Sequence, residues 1–319
     1  MLHDLITMQA TQEDPAVEFG AGDLVGTYRI DDRVGVGGMG AVYRAAHDAH
    51  GRTVALKIMH ADQLEYPSSI DRMMREASIL GAMQHRGIPQ LFETGMFESR
   101  PWIAMELIQG VPLATRLSHG VMDADEVTDL IGGIADVLAA AHAIGVTHRD
   151  LKPDNIFITP DGGHGVSVID WGIAHQAEGA RYTNLNEAIG TPTYMAPEQA
   201  RGAHTDGRAD VYGLGVVAFR ALTGRAPFIG SSAVEILVQH LNRPPPALAP
   251  RCPDAPLCLV ELVEQMLIKD AATRPTAADV CKAIRRMRRQ RHEPDYHEVE
   301  IEACEPIEDR PTRQLRVPH

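Results

Sequence analysis

One segment limits the fold more than any other, because it joins a proline-containing loop to a predicted β-hairpin. The loop reads His-Arg-Asp-Leu-Lys-Pro-Asp-Asn from His148 to Asn155, and Pro153 cannot lie inside a helix because proline has no backbone N–H. Two apolar stretches follow, Ile-Phe-Ile-Thr and Val-Ser-Val-Ile, and the Pro-Asp-Gly-Gly between them is typical of a turn. A hairpin returns the chain to its starting point, so we expect Asn155 and Asp170 to be neighbours.

The polar groups at the two ends of this hairpin suit phosphoryl transfer. Asn155 and Asp170 offer oxygen ligands to a hard cation such as Mg²⁺. Asp150 precedes Asn155 in the same loop and supplies a proton acceptor. The alternative is that these are two ordinary acidic loops. A chance match to both His-Arg-Asp-Leu-Lys-Pro-Asp-Asn and Asp-Trp-Gly in this order and spacing is improbable, which argues against that alternative.

This stretch resembles the catalytic loop and metal-binding segment of eukaryotic-type (Hanks-type) protein kinases. Two further motifs, Gly-Gly-Met-Gly-Ala-Val-Tyr and Tyr-Met-Ala-Pro-Glu-Gln-Ala, are most similar to the bacterial serine/threonine kinases of that family. The resemblance covers residues 24–291. It implies an α+β, bilobed protein kinase-like fold, with a β-rich N-lobe at about 24–106, a mainly helical C-lobe at about 107–291 and ATP between them.

A glycine-rich sequence at residues 35–42 fits a flap over phosphate groups, because glycines let the backbone approach phosphate oxygens closely. A dinucleotide-binding fold uses the same three glycines, but there the glycines begin a helix. Here they lie between two strand-like segments, Ala41–Arg44 and Val54–Met59, which is the arrangement of protein kinases.

Lys57 ends a Val-Ala-Leu-Lys run, and the resemblance assigns it to the α- and β-phosphates of ATP. Apolar residues then recur with helical spacing from Ile70 to Met83, and Ser68 with Asp71 forms a candidate capping box before them. The resemblance implies that Glu76 in this helix pairs with Lys57. The alternatives are that Lys57 is a surface lysine on a strand edge and that Glu76 lies on a solvated helix face.

The resemblance also assigns the remaining residues of the ATP and metal sites. Nucleotide contacts fall on Gly35, Val36, Gly37, Gly38, Met39, Gly40, Val42, Ala55, Lys57, Met105, Glu106, Ile108 and Phe157, with Met105 as the gatekeeper. Catalytic roles fall on Lys57, Glu76, Asp150 and Lys152, and ligation of Mg²⁺ (or Mn²⁺) on Asn155 and Asp170.

Three more assignments concern acceptor choice, regulation and support of the site. By the same resemblance, Lys152 and Thr191 imply serine or threonine acceptors rather than tyrosine. Arg149 implies a switch that depends on phosphorylation of the loop after Asp170, and within that loop Thr183 is the favoured site. A supporting scaffold is implied at Asp210 and at a pair formed by Glu198 and Arg274.

Composition excludes several other classes of protein. The net charge of −13 supplies no basic field for nucleic acid. The four cysteines lack zinc-type pairing with histidines and indicate reduced thiols and a cytoplasmic location. The sequence contains no apolar run of ~18 residues, so we expect no membrane span in this chain.

The two ends of the chain are expected to lie outside the folded unit. Residues 1–23 are predicted to form a flexible N-terminal arm, and residues 292–319 an acidic, disordered tail. A docking or autoregulatory role is the alternative for this tail.

The predicted function is an ATP-dependent serine/threonine protein kinase that acts on protein substrates and on itself. A homodimer is a candidate arrangement for autophosphorylation in trans. The alternatives are a pseudokinase scaffold and a nucleotide-binding sensor without turnover. The presence of Lys57, Asp150, Asn155 and Asp170 argues against a pseudokinase, whereas only turnover distinguishes a kinase from a sensor.

Overall fold

In the computed structural model, which describes residues 19–160, 165–171 and 192–292, the N-terminal lobe is built on a six-stranded antiparallel sheet. Its strands are β1 (Leu24–Val25), β2 (Tyr28–Val36), β3 (Gly40–His47), β4 (Thr53–Met59), β5 (Leu91–Phe97) and β6 (Arg100–Met105). They lie in the order β1-β2-β3-β4-β6-β5. The strands predicted at Ala41–Arg44 and Val54–Met59 are confirmed as parts of β3 and β4.

Helix α1 (Pro67–Ala82) is the helix predicted from the apolar spacing, and it packs against β5 and β6. The apolar residues that it buries are Met73, Ala77 and Leu80. The predicted capping box is wrong. Pro67 occupies the first helical position and places the N-cap at Tyr66, so Ser68 and Asp71 both lie inside the helix.

The C-terminal lobe is mainly helical, and α3 and α5 pack together at its centre. Its helices are α2 (Leu113–Ser118), α3 (Ala124–Ala143), α4 (Pro197–Ala200), α5 (Arg208–Thr223), α6 (Ala233–Asn242), α7 (Leu257–Met266) and α8 (Ala277–His292). Helix α8 packs along α3, and α7 packs on α5. Within the part of the chain that the structure describes, no helix is both long and apolar enough to cross a membrane.

In the sequence, the apolar run from Val127 to Ile144 predicts a buried helix, and Gly145 predicts its C-terminal end. The C-terminal end is confirmed, because Gly145 has a φ of 76°, the left-handed conformation that ends many helices. The helix begins earlier, at Ala124. Asp123 accepts the backbone N–H of Glu126 at 2.8 Å, and the Glu126 carboxylate accepts the N–H of Asp123 at 3.1 Å.

A second sheet of three short strands carries the predicted hairpin. Strands β7 (Val111–Pro112), β8 (Ile156–Ile158) and β9 (Val166–Val168) pair in that order. The hairpin of β8 and β9 is confirmed, since the two strands are antiparallel. The backbone N–H of Ile169 donates to the carbonyl of Asn155 at 2.9 Å, so the two ends of the hairpin meet as expected.

The bilobed α+β fold predicted from the sequence is confirmed, but the N-lobe begins earlier than residue 24. Phe19 is buried in edge-on contact with Tyr43 and Phe97, whose ring centres each lie 5.8 Å from its own. The guanidinium of Arg100 lies 4.5 Å from the centre of the Phe19 ring. Because burial of this aromatic ring fixes the chain to the sheet, residues 19–23 belong to the N-lobe rather than to the arm predicted for residues 1–23.

Candidate active site

The loop between α3 and β8 is held by the buried carboxylate of Asp210, near the start of α5. The two oxygens of Asp210 accept the backbone N–H groups of His148 at 2.8 Å and Arg149 at 2.7 Å. The Nε2 atom of His142 lies 2.8 Å from the same carboxylate. Arg149 has a φ of 67°, which costs energy for a residue other than glycine. These contacts therefore hold a strained backbone immediately before Asp150.

Asp150 presents its carboxylate to solvent beside a lysine and an amide. The Nζ atom of Lys152 lies 2.7 Å from Oδ2 of Asp150. The side-chain N–H of Asn155 donates to the backbone carbonyl of Asp150 at 2.9 Å. The Asp150 side chain is 52% exposed, so a substrate hydroxyl can reach it. Because Asn155 uses its amide nitrogen in this contact, its amide oxygen is available to a cation.

Asp170 lies just beyond β9, with a φ of 53° that again costs energy for a residue other than glycine. Trp171 is buried beside it, with its ring centre 5.0 Å from that of His148. The indole N–H of Trp171 donates to the carbonyl of Val168 at 3.0 Å. The Nε2 atom of His148 lies 2.9 Å from the carbonyl of Ile169. These contacts fix the backbone on both sides of Asp170.

The ammonium group of Lys57 connects the N-lobe to the end of the hairpin. Its Nζ atom lies 2.9 and 3.0 Å from the two carboxylate oxygens of Glu76 on α1, and 3.1 Å from Oδ1 of Asp170. Burial alone would lower the pKa of Lys57, but the charges of Glu76 and Asp170 outweigh burial and hold that pKa above its usual value. Burial would raise the pKa of Asp170, and the charge of Lys57 instead holds it below its usual value. Lys57 and Asp170 are therefore both charged at neutral pH.

The glycine-rich turn between β2 and β3 is held from within the lobe. The N–H of Gly37 donates to the carbonyl of Gly40 at 2.9 Å, and Nε2 of His60 lies 3.1 Å from the carbonyl of Gly37. A Cβ atom at Gly40 would collide with the carbonyl of Ile58, so packing explains that glycine. At Gly38 a Cβ atom would meet none of the described atoms within 4 Å. Packing therefore does not require glycine at this position.

The residues predicted to contact adenine come from both sheets and from the chain after β6. They lie on β3 (Val42), β4 (Ala55), β6 (Met105) and β8 (Phe157), and on the chain after β6 (Glu106 and Ile108). Ala55 and Met105 are paired across β4 and β6. The N–H of Glu106 donates to the carbonyl of Gln90 at 2.9 Å.

The oxygen donors at the end of the hairpin fit Mg²⁺ arriving with a nucleotide. Among the described residues, no group of three or more His, Cys, Asp or Glu side chains is placed to hold a metal ion. Mg²⁺ does not need such a cage, because it is usually bound by one or two carboxylates together with waters and substrate phosphates. One carboxylate from Asp170 and one amide oxygen from Asn155 satisfy that pattern.

The scaffold under the site combines a predicted ion pair with two contacts that sequence reasoning missed. Arg274 donates to both carboxylate oxygens of Glu198, at 2.7 and 3.1 Å. The side-chain N–H of Gln199 donates to the carbonyl of Arg149 at 2.8 Å. The Gln199 contact and the contact of His142 with Asp210 span 50 and 68 residues of sequence, and no local pattern marks either of them.

The three predicted regulatory residues are described only in part. The Nε atom of Arg149 is buried and has no hydrogen-bond partner within the described part of the chain. Thr183 and Thr191 lie outside the described residues.

Comparison with known proteins assigns both lobes to one family. The family model described as "Protein kinase domain" matches residues 28–284. The serine/threonine-protein kinase Pkn1 of Myxococcus xanthus is 39% identical over 260 residues, covering 81% of this chain and 37% of that protein. The serine/threonine-protein kinase PknA of Mycobacterium tuberculosis is 36% identical over 276 residues, covering 83% of this chain and 63% of that protein. The chain thus spans only part of the length of these relatives.

A solved structure shows the same fold. The crystal structure of a mutant form of the Mycobacterium tuberculosis PknI kinase domain superposes with a TM-score of 0.66 at 25% sequence identity. The match covers 85% of this chain and 99% of the PknI chain, so it includes both lobes.

Proposed function

The chain belongs to the protein kinase domain family, and we propose that it is an ATP-dependent serine/threonine protein kinase. The single observation that carries this proposal is the contact of Lys57 with both Glu76 and Asp170. A cation from the N-lobe, a helix carboxylate and the metal-binding carboxylate are thereby assembled in the arrangement that phosphoryl transfer requires.

Binding and orientation of ATP fall to residues of both lobes. The glycine-rich turn, residues 35–40, covers the phosphates, and Lys57 binds the α- and β-phosphates. Glu76 fixes the position of Lys57 and, together with Asp170, keeps its ammonium charged. The backbone of Glu106 and Ile108 bonds the adenine edge, while Val42, Ala55 and Phe157 enclose the ring.

Asn155 and Asp170 are the residues that would hold Mg²⁺ (or Mn²⁺). An ion held there would supply positive charge to neutralise the phosphates of the nucleotide. The strained backbone of Asp170, fixed by the contacts of Trp171 and His148, would hold its carboxylate in place to bind the ion. The site is therefore preorganised and needs little rearrangement during the reaction.

Asp150 accepts a hydrogen bond from the substrate Ser or Thr hydroxyl, orients it in line with the γ-phosphorus and takes its proton. Its exposed carboxylate is held in place through Asn155 and the Asp210 scaffold. Lys152 lies close enough to Asp150 to stabilise the phosphoryl group during transfer. Positioning and electrostatics supply most of the rate enhancement in this chemistry.

Regulation by phosphorylation is supported by Arg149. Its Nε atom is buried with no partner within the described residues, so a phosphate placed there would satisfy a desolvated donor and add a charge-assisted contact. We place that phosphate on Thr183 and assign Thr191 to contacts with Asp150 and Lys152. The substrates are proteins, this chain among them, and autophosphorylation in trans within a homodimer is part of the proposal.

A cytoplasmic location is also proposed. It is supported by the three cysteines of the described residues, Cys252, Cys258 and Cys281, which all carry free thiols.

Incubation with γ-labelled ATP and Mg²⁺ tests the function, with Asp150→Asn as the control and phosphosites located by mass spectrometry. A kinase labels serine and threonine residues, and the control loses this labelling while it still binds ATP. Binding of ATP by the wild-type chain without any labelled product would indicate a nucleotide sensor. Failure to bind ATP at all would indicate a pseudokinase scaffold.

A further inference from the structure

A groove on the C-lobe, away from the active-site residues, is lined by three arginines. It has a volume of about 480 Å³ and is formed by the end of α5, the chain leading to α6, the end of α6 and the chain beyond it. Arg225, Arg243 and Arg251 line it, together with apolar side chains that include Phe219 and Pro227. The groove therefore offers positive charge above an apolar floor.

The three arginines are exposed and carry uncompensated charge. Arg243 donates to the side-chain oxygen of Gln239 at 3.3 Å, and Arg251 donates to the carbonyl of Ala247 at 2.7 Å, so both contacts are with neutral acceptors. Within the described residues, none of the three forms an ion pair with a carboxylate. The nearby carboxylate of Glu235 is already bonded to Ser231. Three arginines without ion pairs in one groove are unusual in a chain whose net charge is −13.

The sequence after α8 has the complementary chemistry. Its carboxylates are Glu293, Asp295, Glu298, Glu300, Glu302, Glu305, Glu308 and Asp309, and no lysine or arginine interrupts them. Within Glu-Val-Glu-Ile-Glu, at residues 298–302, acidic and apolar residues alternate. An extended chain with this alternation presents carboxylates on one side and apolar groups on the other, which matches arginines beside an apolar floor.

Helix α8 also directs this segment towards the end of the C-lobe where α3 begins and α5 lines the groove. Arg285 of α8 lies 3.7 Å from Asp136 of α3, and Arg288, one turn later, bonds Asp129 at 2.7 Å, so α8 runs towards the N-terminal end of α3. Just before α3 begins, the N–H of Met122 donates to the carbonyl of Ala221 in α5 at 2.8 Å. Ala221 lies between groove-lining residues of α5. The ten residues from His292 to Glu302 span up to ~33 Å when extended.

We propose that the acidic segment of residues 298–309 binds in the groove of Arg225, Arg243 and Arg251. Ion pairs with the arginines provide the attraction, and Val299 and Ile301 pack on the apolar floor. Because the segment is tethered to α8, its effective concentration at the groove is on the order of millimolar, so a weak contact is enough to occupy the groove. This inference does not depend on phosphoryl transfer.

A nitroxide spin label on Cys304 of the full chain tests the proposal, in a background with Cys252→Ser and Cys258→Ser that removes the two thiols of the described residues that are not buried. The electron paramagnetic resonance spectrum reports the mobility of the label. We expect an immobilised spectrum at 0.1 M salt that becomes as mobile as the labelled peptide of residues 293–319 at about 0.5 M salt, because salt screens such ion pairs.

Two matched double variants identify the binding surface. Arg225→Glu with Arg243→Glu should release the label, whereas Arg286→Glu with Arg289→Glu on α8 makes the same charge change at exposed arginines outside the groove and should leave it immobilised. A third variant, with Glu298, Glu300 and Glu302 all changed to Gln, should also release the label without touching the described fold. A label that is mobile in the wild-type chain, one that stays immobilised in the groove variant, or one released only by the α8 variant would each overturn the proposal.

Discussion

Arg274→Met should destabilise the protein far more than the same substitution at an arginine whose ion pair has the same length. The Arg274 side chain is fully buried and donates to Glu198 at 2.7 Å. It also donates to the carbonyls of Arg208, Ile268 and Lys269, at 2.6, 3.0 and 3.3 Å. Methionine fills much of the same volume, but it leaves a buried carboxylate and three carbonyls without this donor.

The expected cost follows from the burial of the pair. Breaking a buried ion pair by removing one partner costs about 3–5 kcal/mol of unfolding free energy, because an uncompensated charge stays in a low-dielectric site. The matched control is Arg288→Met, whose partner Asp129 also lies at 2.7 Å, but with side chains that are 36% and 66% exposed. Exposed pairs contribute about 0.2–1 kcal/mol, because water screens them.

Urea unfolding followed by circular dichroism measures both variants, and the melting temperature gives a second readout. At about 2–4 °C per kcal/mol for a domain of this size, Arg274→Met should lower Tm by roughly 6–20 °C and Arg288→Met by no more than about 4 °C. The double variant Arg274→Met with Glu198→Gln should regain part of the loss, since no buried charge remains unpaired. Equal losses for the two single variants would refute the reasoning, because pair length rather than burial would then set the cost.

Three further predictions concern the active site and its control. Trp171→Phe should lower the unfolding free energy by about 1–3 kcal/mol, because the Val168 carbonyl loses its donor. The same variant should bind more tightly those inhibitors that require Asp170 turned outward. Unchanged stability and unchanged inhibitor affinity would contradict both roles. Acid hydrolysis of the labelled product should release phosphoserine and phosphothreonine, and a product dominated by phosphotyrosine would contradict the acceptor assignment. Thr183→Ala should lower activity towards a separate protein substrate while ATP affinity stays nearly unchanged, whereas full activity would place the switch elsewhere.

The parts of the fold that sequence predicts best are those defined over a few residues. The hairpin that joins Asn155 to Asp170 follows from two apolar stretches and one turn, and the structure forms it in register. The end of α3 follows from a single glycine, which adopts the expected left-handed conformation. Each of these features depends on local backbone preferences, so the sequence contains the information directly.

Features that depend on partners distant in sequence are harder to predict from the sequence. The contact of Lys57 with Glu76 was expected only from resemblance to a family, because helical spacing alone makes Glu76 a solvated residue. Burial of Phe19 depends on Tyr43 and Phe97, which no pattern near Phe19 indicates. The start of α1 shows that a local pattern can also mislead. Ser68 and Asp71 have the spacing of a capping box, but Pro67, whose fixed φ suits the first helical position, starts the helix.

The rate of phosphoryl transfer from γ-labelled ATP by Asp170→Asn, relative to the wild-type chain, tests the central claim most directly. The substitution keeps the size of the side chain and removes the charge that contacts Lys57 and is assigned to the metal. Asp129→Asn, in the first half of α3 and outside the candidate active site, controls for a carboxylate lost elsewhere and should leave the rate nearly unchanged. We predict that Asp170→Asn binds ATP, stays folded and transfers phosphate ~10²-fold more slowly or worse, the usual cost of losing one preorganised electrostatic contact. Retention of more than about a tenth of the wild-type rate, by the same scale, would contradict the account.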